Sequence, residues 1–439
     1  MDALINALWN PMLTFLYLEA GLLLLAITGF LAWRHLLPFV REQLRSPSSR
    51  ATITHDRTIS SRRAFITALA STVGVGNLAG VSTAIHLGGP GALFWMWVSA
   101  LVGMSFRMVS TWLTLHYRPA DPDHASWSTP MSYLDPLCKE RPGLRWLPLL
   151  IAGAILMTGL FANAIQTNSV AHALENEMGT SNLLIAILMA LLVAVVILGG
   201  LQRIVQMSVE LMPWMLLLYV GAALLILLSE PAHTLKQLET VVESAFSPWS
   251  MAGGVAGYGI LQAMQFGISR GVFSHGSGLG FAPFLHAANE EGARKNMLYA
   301  ALVPAIDTLI ICTITGLVVL SGGYWLEFNG AFLTTLSFEQ FYGDLGKWIV
   351  VMALTLFAFT SIINLSYFAE RCYLYLGGSS TRNFRYLFIV VTFMGPLIPV
   401  LTIWSMADLL IAVVLIFHLP AVLYLALRHR KQIINTLER

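Results

Sequence analysis

Residues 182–200 run for nineteen positions without one charged side chain, and few foldable states are open to a stretch of that kind. About 20 consecutive apolar residues is the length that carries a helix across the hydrocarbon core of a bilayer. Similar windows recur along the chain, at 12–37, 60–87, 92–117, 147–174, 182–200, 209–228, 251–273, 297–320, 347–376, 386–403 and 406–427. Eleven membrane-spanning helices are the expectation. Composition agrees, since 11% of residues are charged and 56% apolar, whereas a water-soluble protein carries about 25% charged residues. An all-α polytopic membrane protein in contact with the lipid bilayer follows.

Positive side chains flanking spans stay on the cytoplasmic side. The link after the first window, with the arginines opening the second, holds Arg41, Arg45, Arg50, Arg57, Arg62 and Arg63. Alternating eleven spans from that side places 22 Lys and Arg inside and 2, Lys236 and Lys347, outside, with Arg107 within a span. The expected protein is multi-pass, with its N-terminus outside and its C-terminus cytoplasmic. The net charge of +2 therefore reports topology, and no nucleic-acid partner is implied. Cys138, Cys312 and Cys372 form neither a disulfide framework nor a metal cluster. The first window contains Glu19 and lacks a positive start and a cleavage pattern, so it reads as a retained helix.

Two spans are dense in glycine: the second with Gly74, Gly76 and Gly80, the seventh with Gly253, Gly254, Gly257, Gly259 and Gly267. With the helix at 12–37 set aside as an extra N-terminal element, these are the first and sixth of ten. Ten spans then divide into five plus five, residues 60–228 and 249–427, within one membrane domain covering 1–439. An odd repeat length inverts the second half. Interrupted helices at matching positions of two inverted halves point to the central site of a secondary transporter, because unwound backbone is tolerated in a membrane only where it lines a cavity or meets a ligand. The competing reading is close helix packing, for which small residues also serve.

The run Ala68-Leu69-Ala70-Ser71-Thr72-Val73-Gly74-Val75-Gly76-Asn77-Leu78-Ala79-Gly80-Val81, followed by Gly88-Gly89-Pro90-Gly91-Ala92-Leu93-Phe94-Trp95-Met96-Trp97-Val98, closely resembles the signature of the alanine or glycine:cation symporter family, the sodium:alanine symporters. Further matches are Asn163, Gln166 and Asn168, Arg270-Gly271-Val272-Phe273-Ser274, Ile306-Asp307-Thr308, and Phe357-Ala358-Phe359-Thr360-Ser361. The resemblance implies a leucine-transporter-like fold, Na+ as coupling ion and no other cofactor, and import of a small or medium neutral amino acid. It implies a substrate site of Gly74, Val75, Gly76, Asn77, Gln166, Phe266, Gly267, Ser361 and Leu365, with Phe266 and Gly267 at the break in the seventh span. It implies a sodium site from the carbonyls of Ala70, Val73 and Phe357 and the hydroxyls of Thr360 and Ser361. Where the family has Thr, Asn-Glu-Ala, Trp and an acidic residue, this chain has Val75, His275-Gly276-Ser277, Leu365 and Ser110; Leu for Trp enlarges a pocket. A bacterial inner membrane is the expected location.

Of the single residues, Asp307 sits in an apolar span, where charge is expensive and marks function or a structural partner. Asp408 and Glu210 lie near span ends and read as solvated or capping groups. Arg107 is expected to reach the cytoplasmic surface along its own stem, and Trp95 and Trp97 to pack at the interface. His86 offers a proton-sensitive gate and, with the altered loop at 275–277, motivates the alternative of proton coupling or exchange. No zinc-helix or nucleophile-elbow motif supports an enzyme, and no signalling domain supports a non-transporting amino-acid sensor.

Overall fold

The computed structural model describes residues 8–45, 59–246, 256–289 and 291–438, and among these every regular element is helical. In chain order the α-helices are α1 Thr14–Ile27, α2 Leu31–Arg45, α3 Ser61–Thr72, α4 Val81–Gly88, α5 Gly91–Tyr117, α6 Met131–Glu140, α7 Leu147–Met178, α8 Asn182–Ile197, α9 Gly200–Ser229, α10 Pro231–Ser244, α11 Ala256–His275, α12 Ala282–His286, α13 Ala293–Ile306, α14 Thr313–Gly322, α15 Gly330–Tyr342, α16 Asp344–Tyr375, α17 Thr381–Met394, α18 Val400–Arg428 and α19 Arg430–Glu438. Wider π-helical turns lead into α4 at Gly76–Gly80 and into α14 at Asp307–Cys312.

Among the described residues, α5, α7, α9, the α13–α14 pair, α16 and α18 each contain a stretch long and apolar enough to cross a membrane, and the bent pair α3–α4 adds a seventh. α1 and α8 are shorter apolar helices. The outer surface is inverted relative to that of a soluble protein: Leu191, Leu192 and Val195 of α8 stand 53–60% exposed, which is stable only against lipid. Polar side chains turn inward, where Asn163 Nδ2 donates to the Phe388 carbonyl and Asn168 Nδ2 to the Gly395 and Ile398 carbonyls, tying α7 to α17 and the turn after it.

Sequence chemistry sets the ends of the helices that matter for the site. α3 begins where the Ser60 hydroxyl accepts from the Arg63 amide, filling one of the orphan donors of a first turn. α5 begins after Gly89, whose φ of +73° only glycine adopts without strain. The predicted span 12–37 is not one helix: α1 stops at Ile27, and Gly29 and Phe30, both at positive φ, turn the chain into α2.

A second correction concerns the seventh span. α11 runs unbroken through Phe266 and Gly267, and the chain leaves the helix after His275, at Gly276, Gly278 and Gly280, which take φ of +62°, +88° and +78°. Gly267 serves packing instead. A Cβ there would lie 2.3 Å from the Ala92 carbonyl oxygen, so its absence is what lets α11 lie against α5. Gly253 and Gly254 fall outside the described residues.

α16 packs along α7, while α11 and α13 pack along α5. α3 is held between α13, α9 and α16. α1 lies against α5 and α18, and just before it the Trp9 indole donates to the Asp408 carbonyl at 3.3 Å.

Candidate functional site

The α3–α4 helix bends by 53° at the residues between Thr72 and Gly76. Val73 is extended, with ψ of 97°, so the peptide groups after it leave the helical ladder and need other partners. The Gly74 amide, whose partner in an unbroken helix would be the Ala70 carbonyl, donates instead to Asn77 Oδ1 at 2.8 Å. The Val75 amide donates to Gln166 Oε1 on α7 at 3.0 Å. Among the described residues the Gly76 amide and Gln166 Nε2 have no hydrogen-bond acceptor, and both residues line a cavity beside the break. The Asn77 amide donates to the Gly74 carbonyl at 3.1 Å, so among the described residues the amides of Gly74, Val75 and Asn77 are engaged and that of Gly76 is left open. A Cβ on Gly74 would lie 2.5 Å from Ser361 Oγ and 2.9 Å from Gln166 Nε2; only glycine lets α7 and α16 close on the break.

Asn77 reaches in the other direction. Its Nδ2 donates to the Asp307 carboxylate at 2.9 Å and to the Asp307 carbonyl at 3.2 Å. The other carboxylate oxygen accepts from Ser274 Oγ at 2.8 Å and Thr308 Oγ1 at 2.9 Å. Asp307 is fully buried, and three donors from three segments offset the cost of placing a carboxylate there. The break, the end of α11 and the π-helical turn before α14 are thereby joined at one side chain.

Of the oxygens assigned to a cation, one pair is in contact between the break after α3 and helix α16. Ser361 Oγ donates to the Val73 carbonyl at 3.3 Å, and Thr360 Oγ1 lies 3.1 Å from the Phe357 carbonyl. The Ala70 carbonyl has lost its helical donor to Asn77, as the Gly74 hydrogen bond shows. The five residues assigned to a cation are buried and sit on these two packed helices. Neutral oxygens without a carboxylate suit a hard, singly charged ion.

The cavity, of about 40 Å³, is lined on α7 by Gln166, Ala162 and Thr158, so it runs from the break toward the N-terminal end of that helix. Of the residues assigned to the substrate, Gly76, Gln166 and Leu365 line it; Gly74, Val75, Asn77, Phe266, Gly267 and Ser361 do not. Sequence reasoning missed Phe273, Phe281, Phe368 and Ile411 on its wall. The spacing of Thr158, Ala162 and Gln166, one helical face, and of Ser361, Leu365 and Phe368 was the available signal.

Three single-residue expectations change. Arg107 does not reach a surface: it is buried, donating from Nε to the Ala300 carbonyl and from Nη1 to the His275 carbonyl, where it fixes the end of α11. Asp408 is neither solvated nor a cap, but holds Arg270 through both oxygens at 2.8 and 3.1 Å, with the guanidinium 4.6 Å from the Trp404 ring. Arg270 is correspondingly no cytoplasmic marker. His86 Nδ1 sits 2.8 Å from the Trp325 carbonyl, and Trp95 and Trp97 donate to the Ala245 carbonyl and Thr313, as packing groups do.

Comparison with known proteins gives a match to the sodium:alanine symporter family over residues 1–436. The sodium/alanine symporter AgcS of Methanococcus maripaludis is 34% identical over 430 residues, covering 95% of this chain and 92% of that protein. The probable sodium/glutamine symporter GlnT of Bacillus subtilis is 30% identical over 427 residues, covering 96% and 87%. Among solved structures, MhsT in complex with L-phenylalanine matches with a TM-score of 0.59 at 14% identity, over 87% of this chain and all of that one, and shares the fold.

Proposed function

This chain belongs to the sodium:alanine symporter family, a family of transporters rather than enzymes, and from that premise we propose that it imports a small or medium neutral amino acid coupled to Na+ by alternating access. The observation that carries the reading is the break between Thr72 and Gly76, where an open amide at Gly76, the free Nε2 of Gln166 and the oxygens of Val73 and Ser361 lie within a few residues of one another. The substrate carboxylate would take the Gly76 amide and Gln166 Nε2, while the cation would take the carbonyls of Ala70, Val73 and Phe357 with the hydroxyls of Thr360 and Ser361. Both ligands meet the backbone of the same short break. Sodium therefore orders the backbone that the amino acid needs, and by linkage the amino acid raises sodium affinity by the same factor.

The distribution of Lys and Arg supports an orientation with the N-terminal end of α7 cytoplasmic and the N-terminus outside, in a membrane we take to be a bacterial inner membrane. The cavity then leads inward from the break. Uptake of a panel of neutral amino acids into proteoliposomes, under a sodium gradient and with potassium replacing sodium, tests the proposal. Sodium-driven uptake that disappears in Ser361→Ala supports it. Equal uptake in the two ions would refute the coupling.

A further inference from the structure

The cavity beside the break has two unlike ends. Around Gly76 and Gln166 it offers amide donors. Farther along α7 it is bounded by Thr158, Leu365, Phe368, Phe281 and Ile411, and no lining residue carries a charge. Polar atoms at this far end have little to offer a ligand: Thr158 spends its proton on the Ala154 carbonyl at 2.7 Å, and the Phe281 and Phe368 rings pack with centroids 5.6 Å apart. Gly276, at φ +62°, sets Phe281 in place, since a Cβ would fall 2.9 Å from that ring.

Length is the second constraint. From Gln166 to Thr158 is eight residues, about 12 Å of helix at 1.5 Å per residue. A methyl side chain on a ligand whose carboxylate sits at Gly76 would leave the Leu365, Phe368 and Phe281 end untouched. The free space of about 40 Å³, that of roughly three or four waters, belongs to the whole cavity from Gly76 to Ile411, so a bound amino acid must widen it, and a thin chain widens it less than an aromatic ring.

We infer that the far end is a subsite for a thin aliphatic side chain longer than a methyl, so that the substrate class is amino acids of the norvaline, leucine and methionine kind in preference to alanine, glutamine or phenylalanine. This rests on the amino-acid reading of the same site. Glutamine matches methionine closely in length, but its amide would enter an end with no donor to spare and lose its hydrogen bonds to water. Alanine binds, but weakly.

The test is competition by glycine, alanine, 2-aminobutyrate, norvaline, leucine, methionine, glutamine and phenylalanine for sodium-driven uptake by the full-length protein in liposomes. Apparent affinity is expected to rise roughly fourfold per added methylene from alanine to norvaline, and methionine to exceed glutamine by about tenfold or more. Leu365→Trp, which fills the far end, should reverse the order in favour of alanine; if that variant does not fold, Ala162→Val serves. Affinity that is flat or greatest for alanine overturns the inference and leaves the symporter reading intact. Sodium-driven uptake of none of the eight overturns that reading, and the inference with it.

Discussion

Asn77→Ala removes two kinds of bond at once. The Gly74 amide, 2.8 Å from Oδ1, is left buried without an acceptor, at a cost of about 1–3 kcal/mol. The Asp307 carboxylate loses a donor 2.9 Å away, and a bond to a charged group contributes roughly 1.5–3 kcal/mol. Together the loss is roughly 2.5–6 kcal/mol, large against the 5–15 kcal/mol that holds a typical domain folded. Equilibrium unfolding in mixed micelles measures it. Because the second of these bonds ends on Asp307, the double variant with Asp307→Asn should cost less than the two singles added, with a coupling of about 0.5–3 kcal/mol. A cost for Asn77→Ala below about 0.5 kcal/mol, the range of a surface change, or strict additivity with Asp307→Asn, would refute the network.

Other sites give separate expectations. Gly267→Ala places a Cβ 2.3 Å from a backbone oxygen that cannot move aside, so stability should fall by about 1–3 kcal/mol while the folded fraction keeps its substrate affinity; lost affinity at unchanged stability would return Gly267 to the binding site. The Arg270 and Asp408 side chains are 8% and 11% exposed, so Arg270→Met or Asp408→Leu alone should cost about 3–5 kcal/mol and the pair together far less, read by the same unfolding assay. Just before α13, burial by itself would raise the Glu291 carboxyl, but Lys295 at 2.5 Å and the Ser61 amide at 2.9 Å hold it below its ordinary value. A depressed folded value means this contribution is complete above the unfolded value near about 4.3 and is lost as pH falls through the folded one. Glu291→Gln should therefore flatten the acid limb of a stability profile; an unchanged limb would show that the pair contributes nothing.

The spans were legible because lipid selects apolar side chains residue by residue, and the 182–200 window needed no partner to be read. The break at Gly74 and Gly76 was legible too, since glycines and an asparagine amid apolar residues leave few other roles. Its counterpart was misplaced for a physical reason: Gly267 and Gly276 are the same residue type used for opposite purposes, one to let a neighbouring helix approach and one to turn the chain. Phe281 and Ile411 carry no local mark that separates a cavity wall from a lipid face. The Arg270 to Asp408 pair joins positions 138 residues apart, and nothing near either residue announces the other.

Trp9 and Asp408 are 399 residues apart. α1 emerges from the ribosome well before α18, against which it packs. At about 5–20 residues per second the wait is roughly 20–80 s. During that interval the surfaces of Trp9 and Tyr17, both fully enclosed in the finished protein, have α5 and later α11 for company but not α18. The first helix cannot complete its seat by local folding; biosynthesis must hold it in the bilayer until the chain is nearly complete, and a product truncated before α18 would present that unfinished seam to the quality-control machinery of the membrane.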